Sequence, residues 1–267
     1  MATHQRNIHN HFSKIAPSYR HIRTTDLQPI LVIREKLKDL RRIRAVDIGC
    51  GAGRYILLLF KHLKNLHLTY IDINESMLKQ ASDYLKANGI QRFTPVKANA
   101  NDLPLKDNLM DCVFTFNAIH HFDLPSFVEG AATITKEDGF IFIYTRLQSQ
   151  NERNIWGRHF PLFLEKEERL YELNEITETI DTTTCSTVES IKNFQFRRKA
   201  TLDQLLDRVR KKHYSTFYLY DDHELEDCLK EFEKKIIHHF ADPEQIEWLD
   251  ENIMIVLRIG PKTVPSS

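Results

Sequence analysis

Apolar residues first recur at helical spacing. Ile30, Ile33, Leu37 and Leu40 fall three or four apart, with Arg34, Glu35, Lys36, Lys38 and Asp39 between them. Residues 1–40 therefore read as a helical cap. From residue 41 the rhythm changes. Short apolar runs at Ala45–Ile48, Leu68–Ile73, Phe93–Lys97, Cys112–Phe116 and Phe140–Tyr144 predict strands. Helical patterns at Tyr55–Leu63, Ser76–Ala87 and Leu124–Thr135 separate them, and Asn88-Gly89 and Asp138-Gly139 supply the stops. Strands alternating with helices imply parallel pairing, and right-handed crossovers place helices on both faces. The expected class is α/β, a Rossmann-like doubly wound sheet.

After Tyr144 the alternation breaks. Residues 146–182 read as mixed helix, Val188–Phe196 as a strand, Leu202–Lys212 and His223–Phe240 as amphipathic helices, and Ile253–Ile259 as a final strand. The expected organisation is a cap over 1–40, a binding core over 41–146, and an elaboration with the final strands of the same domain over 147–260.

Composition changes this picture little. The chain has 267 residues, 37 basic and 37 acidic, so its formal net charge is zero. That balance argues against a dominant nucleic-acid or anionic-membrane surface. No apolar run is long enough to span a bilayer, and MATHQRNIHNHF lacks the apolar core of a secretory leader. Cys50, Cys112, Cys185 and Cys228 form no CxxC pair. Reduced thiols in a cytoplasmic protein, with no metal site, are the expectation.

The candidate chemistry begins at Val46-Asp47-Ile48-Gly49-Cys50-Gly51-Ala52-Gly53-Arg54-Tyr55. A strand runs into glycines that let the backbone turn and approach a ligand, and a helix follows. Dinucleotide binding needs G-x-G-x-x-G. Here the spacing is G-x-G-x-G, and Arg54 takes the third-glycine place, which disfavours a nicotinamide oxidoreductase. Asp47 would repel a pyrophosphate and suits a ligand carrying an ammonium and a sulfonium. Asp72, 23 residues after Gly49, ends the second strand in Tyr70-Ile71-Asp72-Ile73-Asn74 and suits ribose hydroxyls. After the third strand, Asn99 followed by Ala100 suits an adenine edge.

With these motifs in order, the chain resembles class I S-adenosylmethionine-dependent methyltransferases of the ubiquinone/menaquinone-biosynthesis type. The likeness covers residues 10–146. It starts at Phe12-Ser13-Lys14-Ile15-Ala16-Pro17-Ser18-Tyr19 and ends at Asn117-Ala118-Ile119-His120-His121-Phe122. The resemblance implies seven strands with the last reversed, and S-adenosylmethionine as cofactor. It implies that Asp47 and Gly49, Gly51 and Gly53 hold the methionine part. Asp72, with Ile73 beside it, holds the ribose, Asn117 lies near the sulfur, and Tyr19 adds a contact. Asn99 stands where the family carries an acid; its side-chain carbonyl still accepts a hydrogen bond from an amine.

His120 and His121 follow the fourth strand and are the candidate bases, with ligand-lining or packing as the alternative. Trp156, Phe160, Phe163 and Tyr171 are read either as a substrate wall or as core. The basic runs from Arg34 to Arg44 and from Arg208 to Lys212 leave tRNA as an alternative substrate to a small-molecule acceptor. A non-catalytic cofactor-binding protein is the third reading. No Asn-Pro-Pro-Tyr motif is present. The oligomeric state is left open.

Overall fold

The computed structural model describes residues 24–183 and 185–261. The first 23 residues, with Tyr19 and His4, His9 and His11, lie outside the described residues, as does most of the expected N-terminal cap. The chain opens with α1 (Gln28–Lys36), β1 (Ile43–Ile48), α2 (Ile56–His62), β2 (Leu66–Asp72) and α3 (Glu75–Ala87). Then follow β3 (Phe93–Lys97), β4 (Met110–Phe116), α4 (Leu124–Ile134) and β5 (Thr135–Thr145). Four short helices come next: α5 (Gln148–Arg153), α6 (Ile155–His159), α7 (Phe163–Lys166) and α8 (Leu173–Thr183). The chain closes with β6 (Ser186–Ala200), α9 (Leu202–Arg210), α10 (Asp222–His239) and β7 (Ile246–Ile259).

The seven strands form one sheet in the order β3-β2-β1-β4-β5-β7-β6. β1 to β5 pair in parallel, and β7 runs antiparallel to both β5 and β6. The doubly wound sheet with one reversed strand is therefore present. The central strands are buried on both faces, as parallel strands under two helical layers must be. Ile30, Ile33, Ile56, Leu59 and Leu78 bring α1, α2 and α3 onto one face. Phe127, Val128, Ile176 and Ile180 bring α4 and α8 onto the other.

Four boundaries depart from the sequence reading. Leu40 follows the end of α1 and is exposed. The Asp138-Gly139 turn sits inside β5, at a break in the β4–β5 register, with Asp138 at φ +62°. β6 and β7 are each longer than their apolar segments because they pair with one another as a ribbon of polar and apolar residues. The elaboration has its own core. Trp156, Phe160, Phe163, Phe217 and Phe232 interlock there, with Trp156 stacked on Phe232 at 5.3 Å between ring centres. No helix among the described residues is long and apolar enough to cross a membrane.

Candidate functional site

The C-terminal ends of β1 to β4 converge on one cavity of about 290 Å³. Crevices at this end of an open α/β sheet are where such folds bind ligands. Of the residues singled out from the sequence, Asp47, Gly49, Gly51, Asp72, Ile73, Asn99, Ala100, Asn117 and His121 line it.

The loop after β1 is held by β2. The N–H groups of Gly49 and Cys50 both donate to the Ile71 carbonyl, at 2.9 and 3.1 Å. Gly49 has φ +72°, and a Cβ there would stand 2.7 Å from both Ala118 Cβ and Phe122 Cζ. Glycine is needed there both for the turn and for the approach of the β4 loop. Gly53 is set back from the cavity. Its φ is +78°, and an added Cβ would meet Ala81 Cβ at 3.0 Å, so it lets α3 pack closely.

Asp72 uses one carboxylate oxygen to accept from the Gly51 N–H at 2.9 Å and the other from the Asn74 N–H at 2.8 Å. It thus ties the two loops together and still has lone pairs for a ligand. Asn74 caps α3, its side chain accepting from Met77 N at 3.2 Å. The carbonyl of Asn99 is already engaged by the Asn101 N–H at 3.0 Å, in a local turn. This qualifies the adenine contact drawn from its position. Asn101 lines the cavity, and Asp102 is not in the wall.

Asp47 is the electrostatic focus. It is buried, and its Oδ1 has no hydrogen-bond partner. Burial, reinforced by the charge of Asp72, pushes its carboxyl up to about 8. An orphaned buried carboxylate facing a cavity fits a cationic group, because a positive charge there would offset both its burial and the repulsion of Asp72. The donor set therefore fits S-adenosylmethionine: an acid for its cationic end, an acid at the second strand for its sugar, and exposed Ile73 as an apolar face beside it. Cys50 is no candidate nucleophile, since burial pushes its thiol well up.

His120 and His121 separate, although their rings lie 4.1 Å apart. His121 lines the cavity already described, with Phe122. His120 instead lines a second cavity, of about 100 Å³, under the elaboration. Arg54, Tyr55 and Asn117 line both. Asn117 holds φ +53°, and its N–H donates to the Tyr144 carbonyl at 2.7 Å. Tyr55 stacks on Phe116 with ring centres 4.3 Å apart. These residues form the neck between the two spaces.

The second cavity was largely invisible in the sequence. Trp156 and Phe163 line it, as one of the two readings of those aromatics has it. Phe160 is core, and Tyr171 donates to the Phe122 carbonyl at 3.2 Å. Asp26, Arg146, Arg198 and Asp250 also line it and carried no signal. The alternation of β6 marked its faces, but only the fold shows that Arg198 points inward.

Residues 46–143 match the family model described as a methyltransferase domain. The uncharacterized methyltransferase YcgJ of Bacillus subtilis (strain 168) is 28% identical over 130 residues, 48% of this chain and 51% of that protein. A demethylmenaquinone methyltransferase of Listeria welshimeri is 26% identical over 117 residues, 42% of this chain and 50% of its own. The chain spans about half the length of the curated relatives it matches. Among solved structures, YcgJ superposes with a TM-score of 0.62 at 16% identity, covering 88% of this chain and 99% of that one. Phospholethanolamine N-methyltransferase 2 of Haemonchus contortus, solved with phosphomonomethylethanolamine and S-adenosylhomocysteine, superposes at 0.55 and 16% identity, covering 88% of this chain and 52% of that one. Residues 46–143 thus match a methyltransferase domain, and the fold built around them is shared with solved methyltransferases.

Proposed function

We propose that this protein binds S-adenosylmethionine and transfers its methyl group to a small-molecule nucleophile. One observation carries the reading. The cavity at the strand ends combines the G-x-G-x-G loop, Asp72 and a buried Asp47 oxygen without a partner. When bound, the cofactor supplies a methyl group activated by a sulfonium. Asp47 and the loop would hold its amino-acid end, Asp72 its ribose, and Ile73, Ala100 and Asn101 its base.

The rest of the chemistry falls to positioning. In-line displacement needs alignment and exclusion of water more than a catalytic triad, and orientation alone supplies several kcal/mol. Tyr55 and Asn117 form the neck through which the acceptor would meet the methyl group. His120, on the acceptor side of that neck, is better placed than His121 to take a proton from a hydroxyl or amine. The solved neighbour carrying S-adenosylhomocysteine supports the cofactor assignment.

The basic run on and after α1 supports the tRNA alternative weakly. Lys36 pairs with Glu189 at 2.7 Å and Lys38 with Glu35 at 2.7 Å. The test is titration calorimetry with S-adenosylmethionine, S-adenosylhomocysteine and NAD. Micromolar binding of the first two, lost in Asp72→Ala and absent for NAD, is expected. Binding of NAD alone would overturn the reading, and cofactor binding without turnover of any acceptor would favour the non-catalytic protein.

A further inference from the structure

The second cavity has a charge imbalance that its own residues do not cancel. Asp26 receives Arg198 Nη2 on both oxygens, at 2.9 Å each. Asp250 is shared by Arg146 and Arg198. Glu167 accepts from Arg169, with 2.6 Å the shorter contact. Every acid in the wall is thus matched. Arg208, on α9, lines the same cavity and pairs with none of them.

Its guanidinium lies over the Trp248 ring at 5.9 Å, and no acid among the described residues forms an ion pair with it. Residues 1–23 contain no Asp or Glu to supply one. Burial, the largest influence, holds Arg208 below the usual basicity of its group. A half-buried guanidinium with five donors and no ion pair, feeling among acids only the charge of an Asp250 already shared by Arg146 and Arg198, is costly unless an anion completes it. The fork geometry of arginine matches carboxylate and phosphate.

We propose, resting on the methyltransferase reading, that the cavity holds the methyl acceptor. The acceptor is a small molecule bearing a carboxylate or phosphate, held by Arg208 with the nucleophile directed toward Asn117. A cavity of about 100 Å³ admits a small metabolite and not a chain segment. Trp156 and Trp248 offer flat apolar surface to its body.

The chain has only two tryptophans, and both line this cavity. Their fluorescence therefore reports its occupancy without any need for turnover. Benzoate and phenyl phosphate are titrated as probes, with benzamide and phenol as neutral counterparts, each with and without S-adenosylhomocysteine. At least one anion is expected to give a saturable change, and the neutral pair none. Whichever anion binds tells carboxylate from phosphate. Arg208→Gln should weaken anion binding at least tenfold, and Arg208→Lys, which keeps the charge without the fork, should restore part of it. Calorimetry of S-adenosylhomocysteine should be unchanged in both variants.

Equal response to anions and neutral analogues, no saturable response to either anion, or full anion binding in Arg208→Gln would overturn the proposal. If Arg208→Gln does not fold, Arg208→Lys together with the anion-against-neutral comparison in the wild type decides it. Anion binding with no affinity for S-adenosylhomocysteine would leave the anion site standing and sink the methyltransferase reading instead.

Discussion

Binding of S-adenosylmethionine at neutral pH should expel a proton from Asp47. In the ligand-free protein this carboxyl is pushed up to about 8, first by burial and then by Asp72. At pH 7 roughly nine-tenths of the molecules then carry it protonated. A cation in the cavity favours the charged form and drives the proton off. The ligand's own amine is mostly protonated at pH 7 and offsets only about a tenth of a proton. Calorimetry in two buffers of different ionisation enthalpy should thus show net release of most of one proton at pH 7, turning to net uptake of most of one by pH 9, where Asp47 is already ionised and the ligand's amine must gain a proton to bind as a cation. The same group sets a stability slope. The folded state keeps this proton above pH 4 while the unfolded state loses it, so stability falls as pH rises from about 4 to about 8. Each pH step costs up to about 1.4 kcal/mol, or on the order of 5 kcal/mol across the window. Asp47→Asn removes that slope. It should melt above the wild type at pH 8.5, differ little at pH 4, and bind cofactor poorly at both. Buffer-independent binding heats at pH 7, or an unchanged pH slope in Asp47→Asn, would refute the reasoning.

Other consequences follow from single contacts. Gly49→Ala places a Cβ 2.7 Å from Ala118 Cβ at φ +72°. About 1–2 kcal/mol of backbone strain and 1–3 of overpacking should lower the melting temperature by several degrees, and cofactor affinity should fall in the same titration. Asp250→Ala strands the buried Arg146 guanidinium. Denaturant titration should show a loss of about 3–5 kcal/mol, and less in Asp250→Asn. His120→Ala should lower turnover on the order of a hundredfold with cofactor affinity intact, whereas His121→Ala should act on cofactor affinity; steady-state kinetics with calorimetry separates them. Iodoacetamide should label exposed Cys185 first, because Cys112 and Cys228 are buried and burial also pushes the Cys50 thiol well up. Mass spectrometry of a Cys185→Ala variant would show whether fast labelling disappears.

The proposed cofactor half of the site was legible as a cavity because its parts are contiguous in the chain. Each strand end delivers a short motif, and the parallel order lines those ends up at one edge of the sheet. Spacing within Asp47 to Gly53, and from Gly49 to Asp72, therefore carries three-dimensional information. Even there, the pattern missed what packing decides. Gly53 looks like a ligand contact but serves α3, because the demand for a small residue is the same in both cases. Asn99 looks free in sequence but spends its carbonyl on its own turn.

The proposed acceptor half was illegible for the opposite reason. Asp26 meets Arg198 across 172 residues, and Arg146 meets Asp250 across 104. No local period encodes such pairs. Arg208 shows the limit most clearly. In sequence it belongs to a basic run with Arg210, Lys211 and Lys212, whose charge pointed only to a tRNA alternative. In the fold, Lys211 pairs with Asp207 and Lys212 with Asp222, while Arg208 alone of these lines the cavity. Its meaning depends on which distant acids are already taken, a property of the assembled wall and of no segment within it. Substrate choice in this chain is therefore expected to shift with changes in β6, α9 and β7, and cofactor choice with changes at the ends of β1 and β2. Exchanging residues 146–260 between related chains should transfer acceptor preference and leave the S-adenosylhomocysteine affinity in place.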